Sequence, residues 1–416
     1  MSTALRRGAC PGLSAPMATG DGLLARFTPL DGIPLDRFIA FCAAAGRHGN
    51  GTIEITARGS LQVRGLTPRS APLFASVVAT LGIAAGEGVP VILDPLADDP
   101  DILIDTAALA ACLRRAITTA PLVLAPKVCV VLDGGGRLHL DALTADVRLK
   151  AIGTPQGPRL HVAVGGHAAS ALPLGAIAPD RVVDAVLGIL GVIAARGPAA
   201  RAVDVVRGEG VGAFRSVVDG DVEPAPPPPR PPAEPIGRHP LRDGSVALGI
   251  ALAFGHAHAD ALAELARAAG ARGVGLVRPA PGRALLLPGA TEEVAAALAT
   301  SAEQLGFLVR ADDPRRRIIA CPGKPDCASG LIAARALATE LARQLPPGSD
   351  AIHISGCCKG CAHPAAAALT VVGTERGCGI VRHGPAHAEP RYHVDPAGLA
   401  AEVARIAAET SEALHG

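Results

Sequence analysis

Aromatic side chains are almost missing: they make up 2% of the 416 residues, with one tyrosine and no tryptophan. A surface that stacks on unpaired bases needs several such rings, so no nucleic-acid partner is expected. Charge of one sign is lacking too. Thirty-nine Lys and Arg against 38 Asp and Glu leave a formal net charge of +1, which gives no overall field to draw in a polyanion. An anionic ligand must then be met by local clusters of cations. Those are mostly arginines, because the chain has only four lysines against 35 arginines. Long apolar runs are absent as well. Hydrophobic residues reach 49%, yet Arg, Asp or Gly interrupts their runs before they attain the length of a membrane span. The opening MSTALRRGACPG has two arginines without an apolar stretch behind them, unlike a secretory signal. Ten cysteines without an export signal fit a reducing cytoplasm, where clustered thiols bind metal rather than pair with each other.

What is present is concentrated in two short segments, CPGKPDC and SGCCKGCAHP. They place Cys321 with Cys327, and Cys357 with Cys361, in loops rich in Gly and Pro. Four convergent thiolates suit zinc or an iron–sulfur cluster. Zinc ribbons space their pairs by roughly two to four residues. The wider C-x5-C pair followed by C-x3-C fits a [4Fe–4S] cubane better. Cys358 adjoins Cys357 and must point elsewhere, so it is left as a spare thiol. Cys42, Cys112, Cys129 and Cys378 are scattered and read as buried small hydrophobes. Cys10, in RRGACPGLSAP, is left open between that reading and a chemical role.

The stretch EPAPPPPRPPAEP from Glu223 to Pro235 can enter neither helix nor sheet interior and reads as an extended linker. The halves on either side repeat. Asp21-Gly22, Gly46 and Gly65 recur as Asp243-Gly244, Gly270 and Gly289, at offsets of 222, 224 and 224 residues. A constant offset argues for a duplicated unit. Each copy reads as strand, helix, strand, strand. DRFIAFCAAAG and DALAELARAAG carry helical periodicity between an Asp N-cap and a closing Gly, and TIEITARGSLQVRGL and GVGLVRPAPGRALLLPG read as strand pairs. A longer α/β segment follows each copy. In the first, VPVILDPL, LVLAPKVCVVLDGGGRLHL and RLHVAVGG read as strands with GGG as a hairpin turn, and AALAACLRRAI and RVVDAVLGILGVIAA as helices. The expected boundaries are 1–69, 70–222, a linker at 223–237, 238–305 and 306–416.

Duplicated halves with the cysteine pairs in the last unit resemble the sulfite/nitrite reductase superfamily. Within it, RRGACPGLSAPMATGDGLLARF, HPLRDGSVALGIALAFG, GRALLLPG and SGCCKGCAHP resemble the precorrin-3B synthases of cobalamin biosynthesis. The resemblance implies an α+β fold with pseudo-twofold symmetry, each half a ferredoxin-like unit plus a larger α/β unit, and a substrate cleft between the halves. It implies an oxidoreductase: an NADH-linked monooxygenase that uses O2 to hydroxylate precorrin-3A at a meso carbon and closes a lactone from a neighbouring acetate arm. Cys321, Cys327, Cys357 and Cys361 match the superfamily's [4Fe–4S] ligands. Arg58 and Gln62 match its T-x-R-x-x-x-Q element, and Lys127 matches a lysine of the tetrapyrrole site. Arg26, in GDGLLARF, is expected on a strand facing the same cleft.

Two departures bear on the cofactor. Siroheme reductases usually carry an Asn-Arg-Asn segment where this chain has the acidic VILDPLADDPDILIDT, and a Pro-Asn pair where it has Cys358 and Lys359. Both favour a tetrapyrrole held as substrate over resident siroheme, and so a hydroxylase over a siroheme-dependent sulfite or nitrite reductase. A non-catalytic electron-transfer protein is the alternative of another class. It leaves Arg58, Gln62 and Lys127 without a purpose.

A macrocycle with many acetate and propionate arms calls for arginine forks. Three of the four lysines, Lys127, Lys324 and Lys359, also fall in or near the motifs. Oxygen activation calls for an open iron, such as a 2-His-1-carboxylate site. His256, His258 and Asp260 form the one compact candidate, although a helix start capped by Asp260 accounts for them better. His353 and His363 flank the cysteines as hydrogen-bond donors. RGEGVGAF at 207–214 lacks the strand–turn–helix setting of a dinucleotide site, so electrons are expected from an external reductase.

Overall fold

Two patterns that recur at one spacing build the same elements twice. The computed structural model describes residues 11–86, 88–218, 227–345 and 350–415. A first group comprises β1 (Met17–Thr19), β2 (Gly22–Phe27), β3 (Ile33–Pro34), α1 (Leu35–His48), β4 (Thr52–Ile55), β5 (Leu61–Leu66) and α2 (Ser70–Thr80). A second comprises β6 (Val91–Leu93), α3 (Thr106–Thr119), β7 (Val130–Asp133), β8 (Ala145–Thr154), β9 (Gly157–Gly166), β10 (Leu172–Ile177), α4 (Val182–Ala194), α5 (Ala202–Glu209) and α6 (Gly212–Arg215). The third repeats the first as β11 (Gly237–Pro240), β12 (Val246–Ala251), β13 (His256–His258), α7 (Ala259–Gly270), β14 (Leu276–Ala280), β15 (Ala284–Ala290) and α8 (Glu292–Gln304). The fourth comprises β16 (Ile318–Ala320), α9 (Ala334–Gln344), β17 (Ile352–Ser355), β18 (Ala367–Thr374), β19 (Gly377–Gly384), β20 (Tyr392–Val394) and α10 (Leu399–His415).

Sheet order confirms the duplication. The second and fourth groups each form a five-stranded sheet, β6-β7-β8-β9-β10 and β16-β17-β18-β19-β20. In both, the first three strands run parallel and the last two antiparallel. The ferredoxin-like sheets are β1-β2-β5-β4-β13 and β11-β12-β15-β14-β3, so each takes its last strand from the other half. Ala257 of β13 lies opposite Ile53 of β4, and Ile33 of β3 lies opposite Val277 of β14. This is an α+β fold with pseudo-twofold symmetry.

Alternation along the strands sends Ile53, Ile55, Leu61 and Val63 to one face, where Phe38 and Phe41 of α1 cover them. Leu262, Leu265 and Ala266 of α7 join the same core, which therefore serves both ferredoxin-like units. Four of the seven phenylalanines meet there, with Phe41 5.7 Å from Phe27 and 6.0 Å from both Phe38 and Phe74 between ring centroids. Truncating such a ring costs about 3–5 kcal/mol. Ala71, Phe74 and Val78 of α2 pack here as well, so that helix belongs by contact with the unit that the sequence boundary at 69 cuts off.

Other local expectations need correction. GGG (134–136) is no hairpin: β7 runs parallel to the next strand, β8, and residues 137–140 are not a strand. Asp36 and Asp260 sit in the first turns of α1 and α7, where a carboxylate favours the helix dipole, but the caps are Pro34 and His258. Helix α1 also runs past Gly46 to His48. Cys42, Cys129 and Cys378 are buried, whereas Cys112 is exposed, and Cys10 lies outside the described residues. The described part of the linker, 227–235, has neither helix nor strand, but it is anchored. Arg230 grips Asp141 at 2.7 and 2.9 Å and also pairs with Asp133, and Glu234 pairs with Arg316 at 2.8 Å. Among the described residues, no helix is long and apolar enough to cross a membrane.

Candidate active site

The face of the first sheet that turns away from the core is polar. Register places Arg26 opposite Gln62, Gln62 opposite Glu54, and Glu54 opposite His256, one row across β2, β5, β4 and the exchanged β13. The row is hydrogen-bonded: Arg26 Nε donates to Gln62 Oε1 at 2.6 Å, and Gln62 Nε2 donates to Glu54 Oε2 at 2.6 Å. Arg64, two residues beyond Gln62 and so on the same face, pairs with both oxygens of Asp21 at 2.7 and 2.8 Å and with Glu54 at 3.3 Å. Arg335 of α9 reaches Glu54 from the fourth group at 3.0 Å. Burial alone would raise the Asp21 carboxyl, but the Arg64 fork holds it below the usual carboxylate value. Burial, then Arg335 and Arg64, push His256 down to about 3, so its ring is neutral.

Above this face lies a cavity of about 620 Å³, closed on its other side by the loops after β16 and β17. All four cysteines of the paired motifs line it: Cys321, Cys327, Cys357 and Cys361. Its charged lining is Arg26, Arg64, Arg283 and Lys359 against Glu54 alone, so the site favours anions. The loops are shaped around sulfur. Gly356 N donates to Cys321 Sγ at 3.0 Å. A Cβ on Gly20, in the turn between β1 and β2, would stand 2.2 Å from Cys327 Sγ, so only glycine fits. Burial raises the Cys321 thiol, as do the neighbouring Cys357 and Cys327, while the N–H groups of Gly356 and Gly323 oppose them.

The spacing of the sulfurs bears on the two metal readings. Around one zinc ion, ligand sulfurs sit about 3.8 Å apart. Among the described residues no three of these cysteines bring their sulfurs within 4.8 Å of one another. They surround a space wider than a single ion needs, which fits a cubane. Cys358 is exposed and does not line the cavity.

The other expected residues divide. Arg26 and Gln62 line the cavity. Arg58 does not: its guanidinium donates to Thr144 O at 2.9 Å and to Cys129 Sγ at 3.3 Å, in the second group. Lys127 is exposed in a turn ahead of β7, away from the cavity. His256, His258 and Asp260 do not converge on one point, and His258 Nδ1 instead accepts from Asp260 N at 3.4 Å as the cap of α7. His353 is buried and packs edge-on to His363 at 5.6 Å, but neither of its ring nitrogens has a hydrogen-bond partner, so it is no donor to the cluster loops. Asp133, His139 and Asp141 do draw together, yet Arg230 and Lys150 already neutralise them. Glu54, Arg64, Arg283 and Arg335 were not anticipated. Strand alternation from Gln62 leads to Arg64, whereas Arg335 and Arg283 come from distant segments that only the fold brings in.

No protein-family profile matches the chain. A precorrin-3B synthase from a Sinorhizobium species is 40% identical over 409 residues, covering 97% of this chain and 88% of that protein. The chain belongs to the precorrin-3B synthase family. As a member of that family it is an enzyme of the oxidoreductase class. Its fold is also that of the NirA protein of Mycobacterium tuberculosis, with a TM-score of 0.72 and 19% identity over 92% of this chain and 79% of that one. The chain therefore shares the NirA scaffold.

Proposed function

We propose that this protein converts precorrin-3A to precorrin-3B, inserting one atom of O2 at a meso carbon and closing a lactone from the adjacent acetate arm. The observation that carries the reading is 40% identity across nearly the whole chain to a precorrin-3B synthase. A cavity on the scale of a flat macrocycle, lined by four cations and one carboxylate, supports it. Cys321, Cys327, Cys357 and Cys361 would hold a [4Fe–4S] cluster. When bound, that group supplies single-electron transfer. Arg26, Arg64 and Lys359 would meet carboxylate arms, and Gln62 and Glu54 hold Arg26 and Arg64 through the cross-strand row. Arg58 and Lys127 leave the substrate set. Reducing equivalents from NADH would arrive through an external reductase, because GEGVG falls at the end of α5 and the start of α6 rather than after a strand.

The test is to give the purified, anaerobically reduced protein precorrin-3A and then O2, and to follow the product by mass spectrometry. A hydroxylactone is expected. Sharp siroheme bands in the isolated protein, together with sulfite or nitrite reduction, would sink the proposal.

A further inference from the structure

Arg283 stands apart from the other cations of the cavity. Arg26 donates to Gln62, Arg64 is held by Asp21 and Glu54, and Lys359 donates to Ser329 at 2.6 Å. Arg283 lines the same cavity, yet its guanidinium makes no hydrogen bond or ion pair with any described residue; Glu54 acts on it only through space. Burial works against its charge, and Glu54 offsets only part of that. A carboxylate arriving at Arg283 displaces no protein partner, whereas one arriving at Arg64 competes with Asp21.

The backbone tells the same story. Arg283 sits at φ 64, a left-handed conformation, in the turn between β14 and β15. The matching turn between β4 and β5 has Gly59 there, at φ 80. A side chain in this region costs about 1 kcal/mol that glycine avoids. Phe254, at φ 57, also lines the cavity, so two of the three non-glycine residues with positive φ among the described residues are gathered at this one place. Gly255 follows it, and a Cβ there would stand 2.8 Å from Arg283 Nη1, so the guanidinium rests on bare backbone. Strain kept where a glycine would serve the turn equally well points to a role in the site.

We propose that Arg283 docks one carboxylate arm of the macrocycle and so sets the orientation in which the ring enters. The assignment rests on the reading above, that the cavity takes a carboxylated tetrapyrrole. The planar fork of arginine pairs with both oxygens of such an arm, and a lysine would supply charge without that geometry.

The probe is uroporphyrin, a macrocycle bearing eight carboxylates, titrated by fluorescence against the cluster-loaded protein and its Arg283→Gln, Arg283→Lys and Arg283→Gly variants. The Gln variant should bind about tenfold more weakly or worse, a loss of ~1.4 kcal/mol or more, and Lys should recover part of it. The Gly variant should bind as weakly as Gln while melting at the same or a higher temperature, because the backbone strain is gone. Iron content should match wild type in all three, and with precorrin-3A the change should fall on KM rather than kcat. Equal affinity of wild type and the Gln variant overturns the assignment and leaves the proposed reaction standing. Loss of iron or of stability in the Gly variant overturns it in favour of a structural role. A wild-type protein that binds no uroporphyrin overturns both.

Discussion

The two ferredoxin-like sheets share strand order and hairpins, but they present opposite chemistry on their outer faces. In the first, the row across β2, β5 and β4 is Arg26, Gln62 and Glu54. In the second, the same register across β12, β15 and β14 gives Gly249, Leu286 and Arg278. Leu286 packs with Leu96, Leu138, Leu241 and Ala284, and the linker closes over Gly249, where a Cβ would stand 1.8 Å from Pro235 O. One face is kept open by polar side chains that hold each other, and its counterpart is filled by leucines and a strap of chain.

The α/β units diverge in the same way. Cys321 follows β16 and precedes a proline, and its sulfur accepts from Gly356 N at 3.0 Å. Asp94 follows β6, also precedes a proline, and its carboxylate accepts from Gly134 N at 2.6 Å. In both halves a side-chain hydrogen-bond acceptor at this point of the scaffold ties the two parallel strand ends together. A cysteine there can also ligate a cluster; an aspartate only closes the loop. The scaffold therefore constrains geometry, and a handful of side chains decides whether a half carries chemistry.

The sharpest way to break this comparison is to replace these two acceptors. Cys321→Ser should strip iron and visible absorption from the purified protein, while Asp94→Asn should leave the iron-to-protein ratio unchanged; an Asp94 variant that lost iron would show that the halves are not separate. Next in size, Arg230→Ala leaves Asp133 buried without its cation and should cost about 3–5 kcal/mol, read as a lower urea midpoint with uroporphyrin binding retained. Gly249→Ala should cost about 1–3 kcal/mol by forcing the linker off the second sheet. The matching Arg26→Ala should leave the urea midpoint nearly unmoved and weaken macrocycle binding instead. If both changed only stability, the open face would be as structural as the filled one.

The smallest effect is in pH dependence. Burial and the nearby Asp133 raise Asp94 from 3.8 to about 7. Between those values the unfolded chain has lost this proton while the folded protein keeps it, so stability falls as pH rises through that window. Asp94→Asn should flatten this decline, measured as urea midpoints across the range. An unchanged slope would assign the effect to another group.

Much of this was legible before folding. Periodicity and the constant offset located α1, α7 and both strand pairs, because those segments bury a single face and their alternation survives any context. The cysteine spacing led to the loops that line the cavity. What escaped depended on partners far away in sequence. β3 and β13 are only two and three residues long, and they become strands because the other half offers an edge. GGG suggested a hairpin, but Asp94 captures Gly134 N and turns the chain towards a parallel partner instead. Arg58 carried the motif, yet its side chain turns to Thr144, and the cavity takes Arg283 from the equivalent turn.

The exchange of β3 and β13 has a consequence for how the molecule stays whole. Neither half owns a complete ferredoxin-like sheet, and α1 and α7 bury their apolar faces in one common core. The protein is in effect a clasped dimer written on one chain, and its covalent continuity is not what joins the halves. A single cut between them should leave two fragments that travel together until the fold itself is undone. Either half made alone would present a sheet lacking its outer strand, and a lone fragment of this kind pairs with whatever edge it meets first.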